Sequence, residues 1–552
     1  MRGTTPRKLA MAFSTISVLL VGAVQAQGQP SEDEIFGGEG RGEPATATAT
    51  TTATATTTTT DAVTGTGIGT GTDARDDLNL GDPKAGTRYS AEVAPEDPLK
   101  VGGQVYWRAM STGRQGQHPQ NWSLSAPALV DVFMDARPNE RVRAFVLGRM
   151  FYDPTLLPNG TSGAGGTVSG SAQGNDSPSS AFGQQTRGPN SVLDQLWLRF
   201  DLLHTVFVTA GKQHVRWGTA RFWAPTDYLH LQARNPLLPF DARSGTTMLK
   251  LHVPWEERGW NLYAYALPES ATSTSTTGSI AGAARAEIVL GTFEAGAGVF
   301  GRQNSKAKFA ADFSAGIWDL DFYGEAALRN AGDVDRVSYT PQPQEELTKL
   351  ANANPSLSTL LPAVVDKLYP YSRGSGWKPQ VTGGVSYTRQ YADKDTFTIG
   401  VEYFYNGLGY SSAEVYPGLV LQRNTPLSNP ATFFYLGQHY LAVFATAPAP
   451  YSWDNTTFTV SALGNLSDNS GIARLDYSLT VLTHVRFEAY GAVHFGQSNG
   501  EFRFGLDAHK LIPSSSDPTL AQSSTDALKN LADKYSFGPS LFDLGVGLRV
   551  AL

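Results

Sequence analysis

The sequence predicts an all-β protein: a transmembrane antiparallel β-barrel of about 18 strands, 16 being the other count, behind a disordered N-terminal tether. Three observations predict it. Apolar and polar residues alternate with a period of two from about Val101 to the last residue. The alternating runs are about 10–14 residues long, where soluble strands average about 5–6. Short turns alternate with generally longer loops between those runs.

The chain has 552 residues, no cysteine and a formal charge of -7. Residues 1–26 read as an export signal, with Arg2, Arg7 and Lys8 as a basic start, "LAMAFSTISVLLVGAV" as an apolar core and "VQA" before Gln27 as a small-residue cleavage site. The expected mature N-terminus lies in the periplasm. Without cysteine there is no lipoprotein anchor, disulfide frame or thiolate metal site. No later apolar run reaches the roughly 20 residues of a membrane-spanning helix. Yet 11% aromatic residues, 57 glycines and 17% charged residues are unusual for a soluble globule. Secreted enzyme and outer-membrane barrel both remain open at this point.

Residues 27–96 are low-complexity, with "ATATATTTATATTTTT" at their centre, and cannot bury enough apolar surface to offset chain entropy. They read as a tether in the periplasm. Residues 97–552 read as the barrel. In "VLDQLWLRFDLL", Leu196, Leu198, Phe200 and Leu202 share one face, and Gln195, Trp197, Arg199 and Asp201 the other. The segment "DTFTIGVEYFYNG" sets Ile399, Val401 and Tyr403 against Thr398, Gly400 and Glu402. "IARLDYSLTVL" and "VRFEAYGAVHFG" set Leu475, Tyr477, Phe487 and Val493 against Arg474, Asp476, Glu488, Tyr490 and His494. The last strand, "LFDLGVGLRVAL", ends on an apolar face carrying Leu544, Val546 and Leu552. One apolar and one polar face per strand places lipid outside and water inside.

Tight connections fall at "ARPNER", "LLHTVF", "WEERGW", "LGTFEA", "WDLDFY", "YADKDT" and "LTHVRF", and longer ones at 155–191, 219–244, 331–377, 408–438 and 497–540. An even strand count returns both termini to the periplasm. The lumen is expected to be lopsided. An early wall carries Arg141, Arg143, Arg149, Arg199, Lys212, His214 and Arg216, and later strands carry Asp321, Glu325, Glu402, Asp476 and Glu488. Opposed walls would set a transverse field across an aqueous passage.

The third outer loop, residues 218–243, is oddly apolar, with Phe222, Trp223, Tyr228, Leu229, Leu231, Leu237, Leu238 and Phe240. Pro225, Pro236 and Pro239 stiffen it. "APTD" reads as a turn opening a short helix, with Thr226 or Asp227 as cap. Leaving that surface in water is costly, so the loop is expected to fold against the inner wall. Arg216, Arg221, Trp223, Asp227, Tyr228, His230 and Arg234 would then form a constriction. Trp197 and Tyr490 are further lumen aromatics that could stack on sugar.

The strand before it, the loop "WGTARFWAPTDYLHLQARNPL" and the turn–loop alternation resemble bacterial outer-membrane porin-like barrels over roughly Val101 to Leu552. In general porins the third outer loop folds inward and sets pore size, so the resemblance implies a channel in the cell outer membrane. The ending on Leu552 departs from the Phe or Trp of many such barrels. Size and strand count also resemble barrels that work beside a periplasmic export protein to move capsule or exopolysaccharide. The resemblance implies outer-membrane lipid, the barrel-assembly machinery, a polar solute or polysaccharide, and a periplasmic export partner as contacts.

Other chemistry has little support in the residues. No G-x-S-x-G, H-E-x-x-H or EF-hand loop occurs, so neither an enzyme nor a cofactor or metal is expected. No basic cluster beyond the signal suits nucleic acid. The loop segments "PQEELTKLANANPSLSTLLPAVVDKL" and "TLAQSSTDALKNLADKY" show helical spacing and could roof the mouth.

Overall fold

The computed structural model describes residues 98–155, 189–203, 205–230, 233–238, 243–268, 280–353, 357–391, 395–421, 433–510, 529, 533 and 536–552. The export signal and tether, residues 1–26 and 27–96, lie outside them. So do Leu231, Pro239 and Phe240 of the third loop and nearly all of the second helical segment.

Eighteen antiparallel strands close into one barrel. The first six are β1 (Leu99–Arg114), β2 (Ala128–Asn139), β3 (Val142–Tyr152), β4 (Asn190–Leu202), β5 (Val206–Gln213) and β6 (Thr246–Trp255). The next six are β7 (Trp260–Pro268), β8 (Ile280–Leu290), β9 (Phe293–Arg302), β10 (Lys308–Ile317), β11 (Leu320–Asn330) and β12 (Trp377–Gln390). The last six are β13 (Thr396–Asn406), β14 (His439–Pro448), β15 (Thr456–Asn465), β16 (Ser470–Val481), β17 (Val485–Gly496) and β18 (Ser540–Ala551). A short strand, Ser123–Ser125, extends the β1 ladder on the β2 side across Pro127, whose missing N–H interrupts the pairing. Each strand pairs with its neighbours in sequence, and β1 closes on β18 from Gln104↔Ala551 to Arg114↔Ser540. The closed ladder leaves no open edge, the condition a bilayer imposes on strands.

The pleat sorts the side chains as the alternation requires. Leu196, Leu198, Ile399, Val401, Leu475, Leu544 and Val546 stand exposed on the outer face. Trp255, Trp318, Tyr391 and Trp453 ring the end that carries the short turns. Tyr152, Phe309 and Trp377 stand near the end that carries the long loops. An apolar band between two aromatic girdles is the outer surface of a transmembrane barrel. No helix among the described residues is long and apolar enough to cross a membrane, which says nothing of the strands.

At the loop end, α1 (Gln344–Ala353) and α2 (Leu357–Leu368) lie in the connection after β11, where the Leu and Val spacing predicts helices. Val364, Val365, Leu368 and Tyr369 pack with Leu506 and Ala508 from the β17–β18 connection. A third helix, α3 (Tyr416–Leu421), follows β13. Its Tyr416 joins Phe433, Phe434, Phe502 and Phe504 in a second apolar cluster that also takes in the third loop.

Two lumen expectations need correction. Lys212 does not face the lumen: it pairs with the outward Leu196, and its ammonium reaches the Leu193 carbonyl at 2.6 Å. The walls are also not simply basic and acidic. Arg143 is held by Asp135 at 2.6 Å, Arg149 by Asp131 and Asp194 at 2.8 and 2.5 Å, and Arg285 by Asp312 at 2.6 Å. Arg143 and Arg149 of the early wall, and Arg285 beyond it, thus have carboxylates within reach, and their part of the transverse field cancels locally.

Candidate functional site

The third loop, between β5 and β6, runs inside the barrel and meets several walls. Its entry is set by Gly218, whose φ of +96° suits glycine and whose missing side chain makes room for Glu325. Glu325 of β11 accepts from the Ala220 N–H at 2.7 Å, the Thr226 N–H at 3.3 Å and the Thr226 hydroxyl at 2.7 Å. Glu402 of β13 accepts from three successive backbone N–H groups: Arg221 at 2.9 Å, Phe222 at 3.1 Å and Trp223 at 2.9 Å. Tyr323 adds a hydroxyl to Glu402 at 3.0 Å. Successive N–H groups turned to one point form an anion-binding nest, here filled by a carboxylate of the wall.

Apolar contacts follow the same path. Trp223 is fully buried, stacked on Phe404 at 5.7 Å, and its indole N–H donates to the Phe434 carbonyl at 3.0 Å. Phe222 lies 5.7 Å from Phe444, and the Arg221 guanidinium sits 3.7 Å over the Phe444 ring. On another wall, Trp217, Tyr228 and Leu229 pack with Met248, Tyr263, Tyr265 and Phe300. Leu238 reaches a third wall at Tyr106, Met110, Leu129 and Phe151.

A polar chain ties the loop to the β2–β4 wall. Asp227 is bonded by the His230 Nδ1 at 3.0 Å and by Arg243 at 2.9 Å. Burial alone would raise its carboxyl, but His230 and Arg243 outweigh burial and hold it well below the usual carboxylate range. His230 Nε2 meets His214 Nδ1 at 3.4 Å, and His214 Nε2 meets Asp194 at 3.3 Å. Asp194 also bonds Arg149 and, at 3.2 Å, the Gly245 N–H. Asp194 is aimed inward by a β-bulge: Leu147 pairs with Gln195 and Gly148 with Leu193, leaving Asp194 as the extra residue.

The expected constriction residues therefore divide. Arg221, Trp223, Asp227, Tyr228 and His230 are brought inside the barrel, but as packing and bonding groups rather than as side chains lining a passage. Trp223 and Tyr228 sit in apolar clusters, and Asp227 and His230 are each 8% exposed. Arg216 donates back to the Ala220 carbonyl, and the Arg234 carbonyl accepts from the Tyr435 hydroxyl at 3.3 Å. No helix follows "APTD" among the described residues; Thr226 and Asp227 spend their side chains on Glu325, His230 and Arg243 instead of on a cap.

The wall residues are placed as follows. Trp197 lies 5.5 Å from Phe145 beneath Arg143, Arg199 sits over Phe207 at 5.2 Å, and Arg149 is buried in its ion pairs. Glu488 accepts from the Tyr106 hydroxyl at 2.5 Å, and Arg549 lies 3.5 Å from it. Reading the sequence missed Asp131, Asp135 and Asp194. The first two lie at alternate positions of one strand and were legible; Asp194 was hidden by the bulge.

No protein-family model matches the chain, and no curated protein sequence does. Among solved structures, it is similar to OccAB1 of Acinetobacter baumannii at 10% identity, covering 84% of this chain and 99% of that one, with a TM-score of 0.46. It is also similar to Wzi, an outer-membrane protein involved in group 1 capsule assembly in Escherichia coli and a carbohydrate-binding β-barrel; identity is 9%, coverage 82% and 84%, TM-score 0.42. Pseudomonas putida OprB gives 7% identity, 82% and 94% coverage and a TM-score of 0.40. These are likenesses of barrel shape; the reading of solute and partner rests on the chain's own residues.

Proposed function

We propose that this protein is a channel of the bacterial outer membrane, its N-terminus in the periplasm, that passes polar solutes, carbohydrate or anionic, through a charged lumen without a covalent step. One observation carries the reading. The third loop is held inside a charge-lined barrel by wall carboxylates, Glu325 and Glu402, which bond its backbone N–H groups and the Thr226 hydroxyl. Such a loop is a fixed obstruction that narrows the passage, and its position is built into the wall. Outer-membrane lipid and the barrel-assembly machinery are the contacts this reading implies.

A second reading has its own observation. The loop-end clusters, one around Phe434 and Phe502 and one around Val365 and Leu506, pack loops against each other over the mouth. A roofed barrel suits a component of a polysaccharide-export translocon that opens with a separate periplasmic export protein. Planar-bilayer conductance of the refolded protein separates the two. Steady conductance that oligosaccharide blocks supports the channel. Conductance that appears only when residues 218–243 are deleted supports the export component, and no conductance in either form overturns both.

A further inference from the structure

We propose that Arg108 is the centre of an anion-binding site on the lumen wall formed by β1, β16, β17 and β18, taking the carboxylate or phosphate group of a polar solute. The inference deepens the channel reading and rests on solute reaching the lumen.

Arg108 points inward from β1, opposite Gly547, and is only 4% exposed. Its guanidinium makes no hydrogen bond or ion pair with the described residues; its one close partner is the Tyr490 ring, 4.3 Å away. Burying a charge without an acceptor is unfavourable, so the arrangement asks for one. The two carboxylates whose charge reaches Arg108 are Asp476 and Glu488. Both are already committed. Asp476 is held by Arg474, whose Nε lies 2.8 and 2.9 Å from its two oxygens. Glu488 is held by the Tyr106 hydroxyl at 2.5 Å and flanked by Arg549 and Arg486 at 3.5 and 3.9 Å.

The wall is shaped around these groups. A side chain on Gly545 would meet Tyr490 at 2.1 Å, and one on Gly547 would meet Tyr106 at 3.1 Å. The two glycines of β18 thus let both rings lie against the strand. Arg474 lies 4.0 Å from the same Tyr490 ring, so that ring is already engaged by two guanidinium groups. An anionic group, rather than a sugar face stacked on Tyr490, is therefore the ligand the wall fits. Arginines 108, 474, 486 and 549 still outnumber Asp476, Glu488 and Asp543 there, leaving a positive patch. A planar guanidinium with free donors matches a carboxylate or a phosphate in bidentate fashion.

The test is equilibrium dialysis of the full-length protein in detergent micelles with glucuronate, glucose 6-phosphate and glucose. Glucuronate or glucose 6-phosphate should bind and glucose should not; which of the two binds tighter assigns the anion. Arg108→Gln should weaken that binding by roughly tenfold or more, and Arg108→Lys, which keeps the charge but loses the fork, by less. Heat-modified gel mobility checks that each variant is folded. Equal binding of glucose, or binding unchanged in Arg108→Gln, overturns the proposal, as does absence of binding by the folded wild type. Binding by a barrel that does not conduct would instead overturn the channel reading and leave the site standing.

Discussion

His230 Nε2 lies 3.4 Å from His214 Nδ1, and each ring turns its other nitrogen to an aspartate, Asp227 or Asp194. Each ring donates to its own carboxylate, so a hydrogen bond between the rings needs one further proton, shared between them. The pair joins the loop to the barrel wall. A double-mutant cycle with His214→Ala and His230→Ala, read by thermal unfolding in detergent, should give a coupling of about 0.5–3 kcal/mol, the range for residues in one network. Additive effects would show that the two rings merely sit side by side.

Glu402 takes three backbone N–H groups of the loop at once. Glu402→Gln keeps the size and removes the charge that those donors are aimed at. Hydrogen bonds to charged groups contribute about 1.5–3 kcal/mol each, so the loop should detach from β13 more readily. The expected readouts are higher single-channel conductance and faster proteolysis within residues 218–243. Unchanged conductance and unchanged cleavage would show that the apolar contacts of Phe222 and Trp223 hold the loop by themselves.

Gly218→Ala tests the loop entry. The residue has φ of +96°, and an added Cβ would stand 2.2 Å from Glu325 Oε1. Strain at that φ costs about 1 kcal/mol or more, before Glu325 is displaced from Ala220 and Thr226. The unfolding temperature should fall. A Glu325→Ala background should recover part of the loss, because the clash is with that side chain.

Glu501 governs how the loop-end knot responds to pH. It follows β17, is buried, and accepts from the Tyr440 hydroxyl at 2.6 Å and from Asn465 at 2.8 Å. Burial, with the neighbouring Asp468 charge adding to it, pushes its carboxyl up to about 8. The folded protein therefore holds this proton more tightly than the unfolded chain, whose carboxyl has the ordinary value near 4.5. The stabilisation is fully present below about pH 4.5 and is lost as pH rises through about 8. Thermal stability in detergent should decline across that interval, and Glu501→Gln should flatten the decline. Parallel curves for the two proteins would place the pH dependence elsewhere.

Much of the barrel was legible because a half-buried strand advertises itself by period two. Leu196 against Trp197 and Val401 against Glu402 needed nothing beyond that rule, and the seven tight turns came from the breaks between runs. An eighth connection, from Pro448 to Thr456, escaped because "APAPYSWDN" reads as a longer irregular piece. The loop was legible as a segment too apolar for water, but its side chains were not assignable. Whether Trp223 lines a passage or fills a core depends on Phe404 and Tyr440, some two hundred residues away, and on a Glu402 bond to backbone that no residue type announces. Lys212 was misplaced on its charge alone: by period two it shares the apolar face of β5 with Val206, Val208 and Ala210, opposite the outward Leu196 and Leu198.

The third loop also has a mechanical consequence. An empty tube of this width resists flattening poorly, since its hydrogen bonds run around the wall and none crosses the interior. Here a single segment is bonded to β11 and β13 through Glu325 and Glu402 and, through the histidine pair, to the bulge of β4. It acts as a cross-brace. Cutting it would change the shape of the cross-section as well as its area, and the strands it joins would be freed to move apart under lateral membrane pressure.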